Sequence, residues 1–464
     1  MDTPAILYIL VIAAGLAVAA ITYQEPLLGL AIWMAIIPLF ASVVVPPGME
    51  KIPPTRIVHL LMMGGAIAGT LHGRNRIQYR SPAIVAYFLF VSAAVLSALA
   101  SGAPGESLGR AVSYAEPGVW LAIGAACKPE RAERQVKYLL MGCAIGFALV
   151  VILSVPEVQQ QRNYLVESGL VHSDRNYMSD RRLGVSGRVV STLGQPVYGG
   201  IYALVCLCAL HLLLRRGADR ALTRLMLGGL LLAGSVFLFL TGTRAAVLGF
   251  LLYPALFFGF ARDRAALWKV LSFYALCIGA IITVVPGRFL EFFQTSFSLT
   301  AATQSSANVI GRLALTKRLF EIFLTHPFLG VGPGYIQKAV YSHGAGSLLG
   351  LEGVENQYAL LLAENGLLGF ALYGAFAVVV LRAALGNSAS KEGTLGRGGL
   401  GHWLAAVFLC LLLIASSCSL ISSLPTFYVM AFVGVLAAVR FAGKSGVHQP
   451  GEIHRGSPLA GILN

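Results

Sequence analysis

The stretch LMLGGLLLAGSVFLFLTGTRAAVLGFLLYPALFFGF, residues 225–260, consists of two apolar runs separated by the short polar segment TGTR. Arg244, in that segment, is the only charged residue of the stretch. A helix that crosses the hydrocarbon core of a bilayer needs about 20 mainly apolar residues, and each run is close to that length. The stretch therefore predicts two consecutive transmembrane helices joined by a tight connection that contains Arg244.

The whole chain has the composition of a polytopic membrane protein. Of its 464 residues, 57% are hydrophobic and 12% are charged, about half the charged fraction of an ordinary soluble domain. The candidate transmembrane segments lie near residues 5–22, 27–45, 56–71, 82–100, 112–127, 136–155, 196–214, 225–241, 245–260, 267–285, 358–381, 402–419 and 426–441. The segment at 112–127 ranks lowest because Ser113, Glu116 and Pro117 interrupt it. The predicted fold class is an all-α bundle of 12–13 transmembrane helices.

Basic residues between the apolar segments produce the net charge of +14. Because they do not form one patch, they favour membrane topology, with a share for an anionic substrate, over nucleic-acid binding. By the positive-inside rule, the basic connections and the tail, 442–464, are cytoplasmic. The N-terminus is then external if every candidate segment crosses. Segment 5–22 lacks a basic n-region and a cleavage site, so it is predicted to be a retained helix rather than a signal peptide.

The seven cysteines lie in or beside apolar segments, and no two of them form a CxxC pair. Their spacing argues against disulfides and a zinc site. No cluster of His, Asp and Glu has metal-ligand spacing either. The sequence therefore predicts neither a metal nor a cofactor.

Two external segments, 156–195 and 286–357, are too long and too polar to be simple turns. They divide the chain into N-terminal helices (1–155), core helices (196–285) and C-terminal helices (358–441). Loops longer than about 12–15 residues are usually functional or disordered. The candidate functional residues are therefore sought in and beside these two segments.

The second loop contains a predicted amphipathic helix, which begins at the potential N-cap Asn308 and ends at His326-Pro327. Its apolar face consists of Leu315, Leu319, Ile322 and Phe323. The rest of its surface is predicted to carry Arg312, Lys317, Arg318 and Glu321. Such a helix can lie along the membrane surface.

Arginine side chains near the outer surface are the candidate anion-binding groups. A charge near membrane depth is costly and usually functional, so Arg244 comes first, although an arginine can also extend to lipid headgroups. Arg312 offers planar, bidentate donors suited to phosphate. For the neighbouring Arg318 the alternative is a solvated helix face. Arg188, just before a span, and Arg288, after Pro-Gly, are further candidates.

A carboxylate at the end of the second loop is the candidate base. Glu355 and Asn356 lie where the loop enters a helix, and a carboxylate there can accept a proton from a hydroxyl nucleophile. The alternative is that both residues only cap the helix. Glu364 and Asn365, two turns further in, are expected to orient their neighbours.

The segment HPFLGVGPGY, residues 326–335, is a glycine-rich turn. Gly332 and Gly334 allow the backbone to bend sharply and to approach a ligand. The turn lacks the flanking strand and helix of a dinucleotide site and the Lys-Ser pair of a P-loop. It is therefore interpreted as a substrate-binding turn without a nucleotide.

Three segments in this order resemble the O-antigen ligase and O-antigen polymerase superfamily. They are LTGTRAAVLGF (240–250), GRLALTKRLFEIFLTHPFLGVGPGY (311–335) and VENQYALLLAENGLLG (354–369). Upstream, STLGQPVYGGIYALV (191–205), with Gln195 before Pro196, resembles a further family element. The resemblance covers roughly residues 188–381. It implies a GT-C-like bundle with a long, partly helical periplasmic loop.

Carried over to this sequence, the resemblance implies that Arg244 and Arg312 bind the diphosphate of an undecaprenyl-diphosphate-linked oligosaccharide. Glu355 replaces the histidine that the family places before Asn-x-Tyr, which puts ligation to lipid A core in doubt and leaves Glu355 as the substitute base. The implied catalytic residues are thus Glu355, Arg244 and Arg312. The expected substrate-binding residues are Arg188, Gln195, Arg288, Arg318, Gly332, Gly334, Asn356 and Tyr358.

The activity implied is that of a metal-independent glycosyltransferase at the periplasmic face of a bacterial inner membrane. A polymerase of surface polysaccharide or exopolysaccharide is favoured, acting on a glycan acceptor. The alternatives are a ligase to lipid A core, a ligase to protein and, from another class, a transporter or flippase. Membrane lipids, a flippase and a chain-length regulator are the expected partners, and nucleic acid is not.

Overall fold

A computed structural model describes residues 3–41, 54–160, 163, 167, 189, 191–217, 221–261, 264–284, 304–336, 356–386, 399–421 and 423–444. This part of the chain is 86% helical and contains no strand. The α-helices are α1 (Thr3–Gln24), α2 (Pro26–Phe40), α3 (Pro54–Leu71), α4 (Pro82–Leu99), α5 (Pro104–Gly124), α6 (Ala132–Gln160), α7 (Pro196–Gly217), α8 (Ala221–Leu240), α9 (Arg244–Ala261), α10 (Arg264–Val284), α11 (Gln304–Thr325), α12 (Gln357–Gly386), α13 (Leu400–Ala415) and α14 (Leu424–Lys444). The predicted all-α bundle is confirmed.

Among the described residues, six helices are long and apolar enough to cross a membrane. They are Pro82–Leu99, Pro129–Gln160, Pro196–Arg216, Ala221–Leu240, Arg244–Ala261 and Gln357–Gly386. Shorter apolar helices lie within α1, α2, α10, α13 and α14. Each candidate segment of the sequence coincides with one of α1–α10 or α12–α14. The chain is a membrane protein, and the crossing of every one of these helices stays a prediction.

Helix α5 contains the segment that the sequence ranks lowest, yet it lies inside the bundle. It packs against α2, α3, α4 and α14, and Trp120 is fully buried. A Cβ atom on Gly124 would lie 2.2 Å from the carbonyl oxygen of Ala431, so α5 and α14 touch backbone to backbone. Polar residues are tolerated in this segment because several of their side chains contact other protein groups. Glu116, for example, lies 2.5 Å from Arg56 Nε.

Two predicted boundaries need correction. Helix α6 continues through Pro156 to Gln160, although the first external loop was predicted to begin at 156. A proline in the last turns of a helix removes one hydrogen bond without ending the helix. Helix α11 begins at Gln304 rather than after Asn308, because Ser305, Ser306 and Ala307 are compatible with a helix and extend it.

Helix α11 packs one apolar stripe on protein, while Leu313, Phe320 and Leu324 are exposed. Leu315 and Leu319 are buried in a small cluster with Ile336 of the following turn and with Leu360 and Ala363 of α12. On the opposite side Lys317, Arg318 and Glu321 are exposed. The predicted amphipathic helix is therefore present, and its buried face contacts the start of α12.

Candidate active site

The glycine-rich turn after α11 docks on a break in α12. At Gly366 the backbone leaves the helical conformation, with φ 63° and ψ −168°. The break frees backbone groups that pair with the turn. These pairs are Val331 N with Ala363 O (3.0 Å), Gly332 N with Glu364 O (2.9 Å), Leu367 N with Pro327 O (2.8 Å) and Leu368 N with Phe328 O (3.2 Å). Two segments of the predicted site are thus held together by their main chains.

Gly332 and Gly334 are required by the fold of this turn. Their φ values are 100° and 77°, a region that side-chain-bearing residues rarely adopt. A Cβ atom on Gly332 would lie 2.4 Å from Ser101 Cβ, and one on Gly334 would lie 3.1 Å from Arg110 Cβ. The close approach that these glycines permit is to Ser101, between α4 and α5, and to Arg110 within α5, while their approach to a substrate stays a prediction.

Glu364 anchors the turn from inside the bundle. Its side chain is 1% exposed. One carboxylate oxygen accepts a hydrogen bond from the Tyr114 hydroxyl at 2.9 Å, and the other accepts one from Gly334 N at 2.8 Å. Ser97 Oγ also donates to the backbone carbonyl of Glu364 at 2.6 Å. Glu364 therefore fixes α4, α5 and the glycine turn to one point of α12.

Arg110 lies between this anchor and the first turn of α7. Its guanidinium interacts electrostatically with Tyr114, Glu364 and Tyr198, and its guanidinium carbon is 6.0 Å from the centre of the Tyr114 ring. Sequence reasoning missed this residue, because it precedes the apolar part of the lowest-ranked segment. The signal available was an arginine followed four residues later by Tyr114 in a helix-compatible run.

Arg244 begins α9 and is exposed. The connection before it turns at Gly242, with φ 63°, and Thr243 Oγ1 donates to the carbonyl of Pro196 at 2.9 Å. A Cβ atom on Gly200 would lie 2.6 Å from Thr243 Cβ. The structure thus brings Arg244 to the first turn of α7, directly after Gln195.

The segment before α7 is held by a buried acid that sequence reasoning also missed. Glu157, near the end of α6, is 5% exposed. Its Oε2 accepts hydrogen bonds from Ser191 N at 2.8 Å and from Asn163 Nδ2 at 3.2 Å. Val189 N in turn donates to the carbonyl of Leu240 at 3.2 Å. These bonds tie the 191–205 element to the outer end of α8, next to Arg244.

Asn356 and Tyr358 have structural partners at the start of α12. Asn356 Oδ1 accepts hydrogen bonds from the backbone amides of Tyr358 and Ala359 at 3.1 and 3.2 Å, so the capping alternative holds for Asn356. The Tyr358 hydroxyl donates to the carbonyl of Leu412. Their binding of substrate stays a prediction.

Glu355, Arg188 and Arg288 lie outside the described residues. Arg312 lies within α11, but its side chain is outside the described part. Its place on the charged surface of the helix therefore stays a prediction.

Arg318 is exposed and forms an ion pair with Glu321 at 2.9 Å. Within the described ranges, no group of three or more His, Cys, Asp or Glu residues is placed to hold a metal ion. The cysteines whose side chains are described are buried, and none of them forms a disulfide within the described residues.

These features define a polytopic membrane protein in which a partly helical loop is folded onto a broken helix. Residues 228–374 match the family model of the O-antigen ligase. This match supports the resemblance of the chain to the O-antigen ligase and polymerase superfamily. No curated protein shows significant similarity to it.

The matched range runs from α8 into α12. It contains Arg244, α11, the glycine turn and Glu364. The element at 191–205 and Arg110 lie outside it. The family supports a function of the O-antigen ligase or polymerase type, with lipid-linked glycans as substrates and glycans as acceptors.

Proposed function

We propose that the protein is a glycosyltransferase that uses an undecaprenyl-diphosphate-linked glycan as donor and a sugar hydroxyl as acceptor, at the periplasmic face of a bacterial inner membrane. The observation that carries the proposal is the family match across Arg244, α11 and the start of α12. Polymerisation of a surface polysaccharide or exopolysaccharide is the favoured activity.

In the proposed reaction, breaking the bond between the glycan and its lipid diphosphate leaves the bonding electrons on the departing phosphate oxygen. Negative charge therefore grows on the diphosphate in the transition state. Arg244 and Arg312 are proposed to stabilise this charge, since a preorganised donor at such a site contributes about 3 kcal/mol. Arg188, Arg288, Arg318 and Gln195 are proposed as further substrate-binding residues. The proposal requires no nucleotide because the donor is already activated, and the arginines take the place of a metal.

Glu355 is proposed as the base. It would take the proton of the acceptor hydroxyl as that oxygen bonds to the anomeric carbon. A histidine in this place is expected of the ligases, and the exchange to glutamate favours a polymerase over ligation to lipid A core. If Glu355 is the base, Glu355→His keeps part of the activity and shifts its pH dependence to higher pH, since the free imidazole has the higher pKa. An inactive but folded Glu355→His, together with an active Glu355→Gln, would contradict the role.

Arg244→Ala tests the proposal, with Arg264→Ala as the matched control. Both arginines are exposed, and each is the first residue of an apolar helix, Arg244 of α9 and Arg264 of α10. The predicted topology places Arg244 on the external side of the membrane and Arg264 on the cytoplasmic side. In a deletion strain carrying each variant, Arg244→Ala is expected to abolish polymer while the protein still inserts, and Arg264→Ala to restore it. Full product from Arg244→Ala overturns the role of Arg244.

The rival activities differ in what a deletion strain accumulates. A polymerase leaves a single-repeat glycolipid, and a ligase leaves long lipid-linked polymer beside bare lipid A core or bare protein. A transporter or flippase leaves unflipped glycolipid on the cytoplasmic side. Lectin accessibility of the glycolipid in spheroplasts separates the last case, and accumulation of the glycolipid on the cytoplasmic side would contradict the proposed enzyme.

A further inference from the structure

Arg110 is an arginine inside the outer end of the bundle whose charge is not matched by contact with an acid. It lies six residues into α5, about 9 Å along the helix axis from Pro104. In the described part of the chain, the ion pairs do not include Arg110. Both oxygens of the nearby Glu364 carboxylate are occupied by Tyr114 and by Gly334 N.

The position of Arg110 connects the two halves of the candidate site. On one side its aliphatic stem packs against the glycine turn, where a Cβ on Gly334 would lie 3.2 Å from Arg110 Cγ. On the other side its guanidinium interacts with Tyr198 in the first turn of α7. The carbonyl of Pro196, two residues before Tyr198, accepts the hydrogen bond from Thr243, the neighbour of Arg244. Arg110 and Arg244 therefore flank the same helical turn.

A guanidinium at this depth that forms no direct ion pair in the described part of the chain is costly in a membrane protein and usually marks a pathway or a ligand site. Its planar donors suit a phosphate group. We propose that Arg110 is a further substrate-binding residue that contacts a phosphate of the lipid-linked donor across the first turn of α7 from Arg244. This inference rests on the proposed function and adds to it a residue from the N-terminal half of the chain, outside the matched domain.

The test measures lipid binding to the purified full-length protein in nanodiscs. The probes are undecaprenyl diphosphate and uncharged undecaprenol. The variants are Arg110→Gln, Arg110→Lys and Arg244→Gln, with Arg131→Gln as a control that removes an exposed ion pair with Glu25 at 3.3 Å. Thermal unfolding of each variant is recorded alongside.

Arg110→Gln is expected to bind the diphosphate lipid roughly ten- to hundredfold more weakly, the range for a lost charge-assisted hydrogen bond, with undecaprenol binding unchanged. Arg110→Lys, which keeps the charge and the stem, is expected to retain most of the preference for diphosphate, and Arg131→Gln all of it. An equal loss for both lipids in Arg110→Gln overturns the inference, because it is the result of a structural role.

The failure of the inference and of the proposed function are distinguishable. If Arg110→Gln binds diphosphate like the wild type while Arg244→Gln does not, only the inference about Arg110 is overturned. If the folded wild type does not prefer undecaprenyl diphosphate to undecaprenol, both are overturned.

Discussion

Helix α5 carries two acid–arginine arrangements, and in its middle the charges are matched directly. Glu116 lies 2.5 Å from Arg56 Nε, and its other oxygen lies 3.6 Å from His59 Nδ1. The rings of Trp120 and Phe427 pack around His59, with centroids 5.6 and 5.2 Å away. This cluster is surrounded by packed side chains, and its charges have partners within the protein.

Towards the N-terminal end of α5, which is predicted to be its outer end, the charges are matched differently. Glu364 is occupied by a tyrosine and a backbone amide, and Arg110 interacts with it without an ion pair in the described part of the chain. The middle pair joins helices α3 and α5, whereas the outer pair stands beside the glycine turn and the first turn of α7. The difference teaches that burial of an arginine does not by itself indicate function. A better indication of function is a charged side chain that forms no ion pair because the nearest opposite charge is already hydrogen-bonded to other groups.

The largest effect is expected from disrupting the break in α12 that supports the outer arrangement. At Gly366 a Cβ atom would lie 2.2 Å from the carbonyl oxygen of Phe328, and the φ of 63° is itself strained for alanine. Gly366→Ala should cost about 3 kcal/mol or more and release the turn, with loss of activity. Gly374→Ala, in the same helix, has open space at its Cβ and should not destabilise. Thermal unfolding and limited proteolysis after α11 compare the two, and equal stability would contradict the docked turn.

Breaking the Arg56–Glu116 pair should lower the stability of the protein but leave its activity unchanged. Glu116→Gln removes the carboxylate charge that faces Arg56 in the bundle, and we expect a loss of about 2–3 kcal/mol, discounted for partial exposure. The double variant Arg56→Met/Glu116→Met should recover most of it. A double-mutant cycle in unfolding measures the coupling. If the folded Glu116→Gln protein is inactive towards donor, the distinction between the two arrangements fails.

The corresponding change at Glu364 should lower turnover more than stability. Glu364→Gln keeps an acceptor for one hydrogen bond and costs about 1–2 kcal/mol, less than Glu116→Gln. Because it shifts Gly334 and the surroundings of Arg110, we expect turnover per folded molecule to fall roughly tenfold. Turnover assays on detergent-purified protein, normalised to folded fraction, check this. Unchanged turnover would show that the turn is not part of the site.

The smallest effect is expected on the exposed face of α11. Arg318 and Glu321 form an ion pair with side chains 69% and 46% exposed, and such pairs contribute at most about 0.5 kcal/mol. Glu321→Gln should leave both unfolding and turnover within error of the wild type. The variant keeps Arg318, the proposed substrate-binding residue, so a clear loss of turnover would contradict the expectation that Glu321 takes no part in the reaction.

The sequence predicted the helices well because burial in lipid demands long apolar runs, and such runs are visible in the chain itself. It ranked α5 too low because Glu116 and Ser113 lower the hydropathy of the segment. Both residues have partners within the protein, and hydropathy does not register such partners. Ser113 Oγ, for instance, donates to the carbonyl of Arg110 at 2.6 Å.

The sequence offers candidate site residues where a local motif carries them, and it gives no signal for contacts between distant segments. Arg244, the glycine turn and the α12 entry are candidates from short segments. The role of Glu364 depends on Tyr114, 250 positions away in the chain, and that of Arg110 on Tyr198 and Gly334. No local pattern could have paired them.

The most direct test is a structure of the protein in nanodiscs with undecaprenyl diphosphate bound. The account predicts a diphosphate at the first turn of α7, with phosphate oxygens about 3 Å from the guanidinium of Arg244. A lipid diphosphate bound elsewhere, with that turn contacting only the protein or bulk lipid, would contradict it.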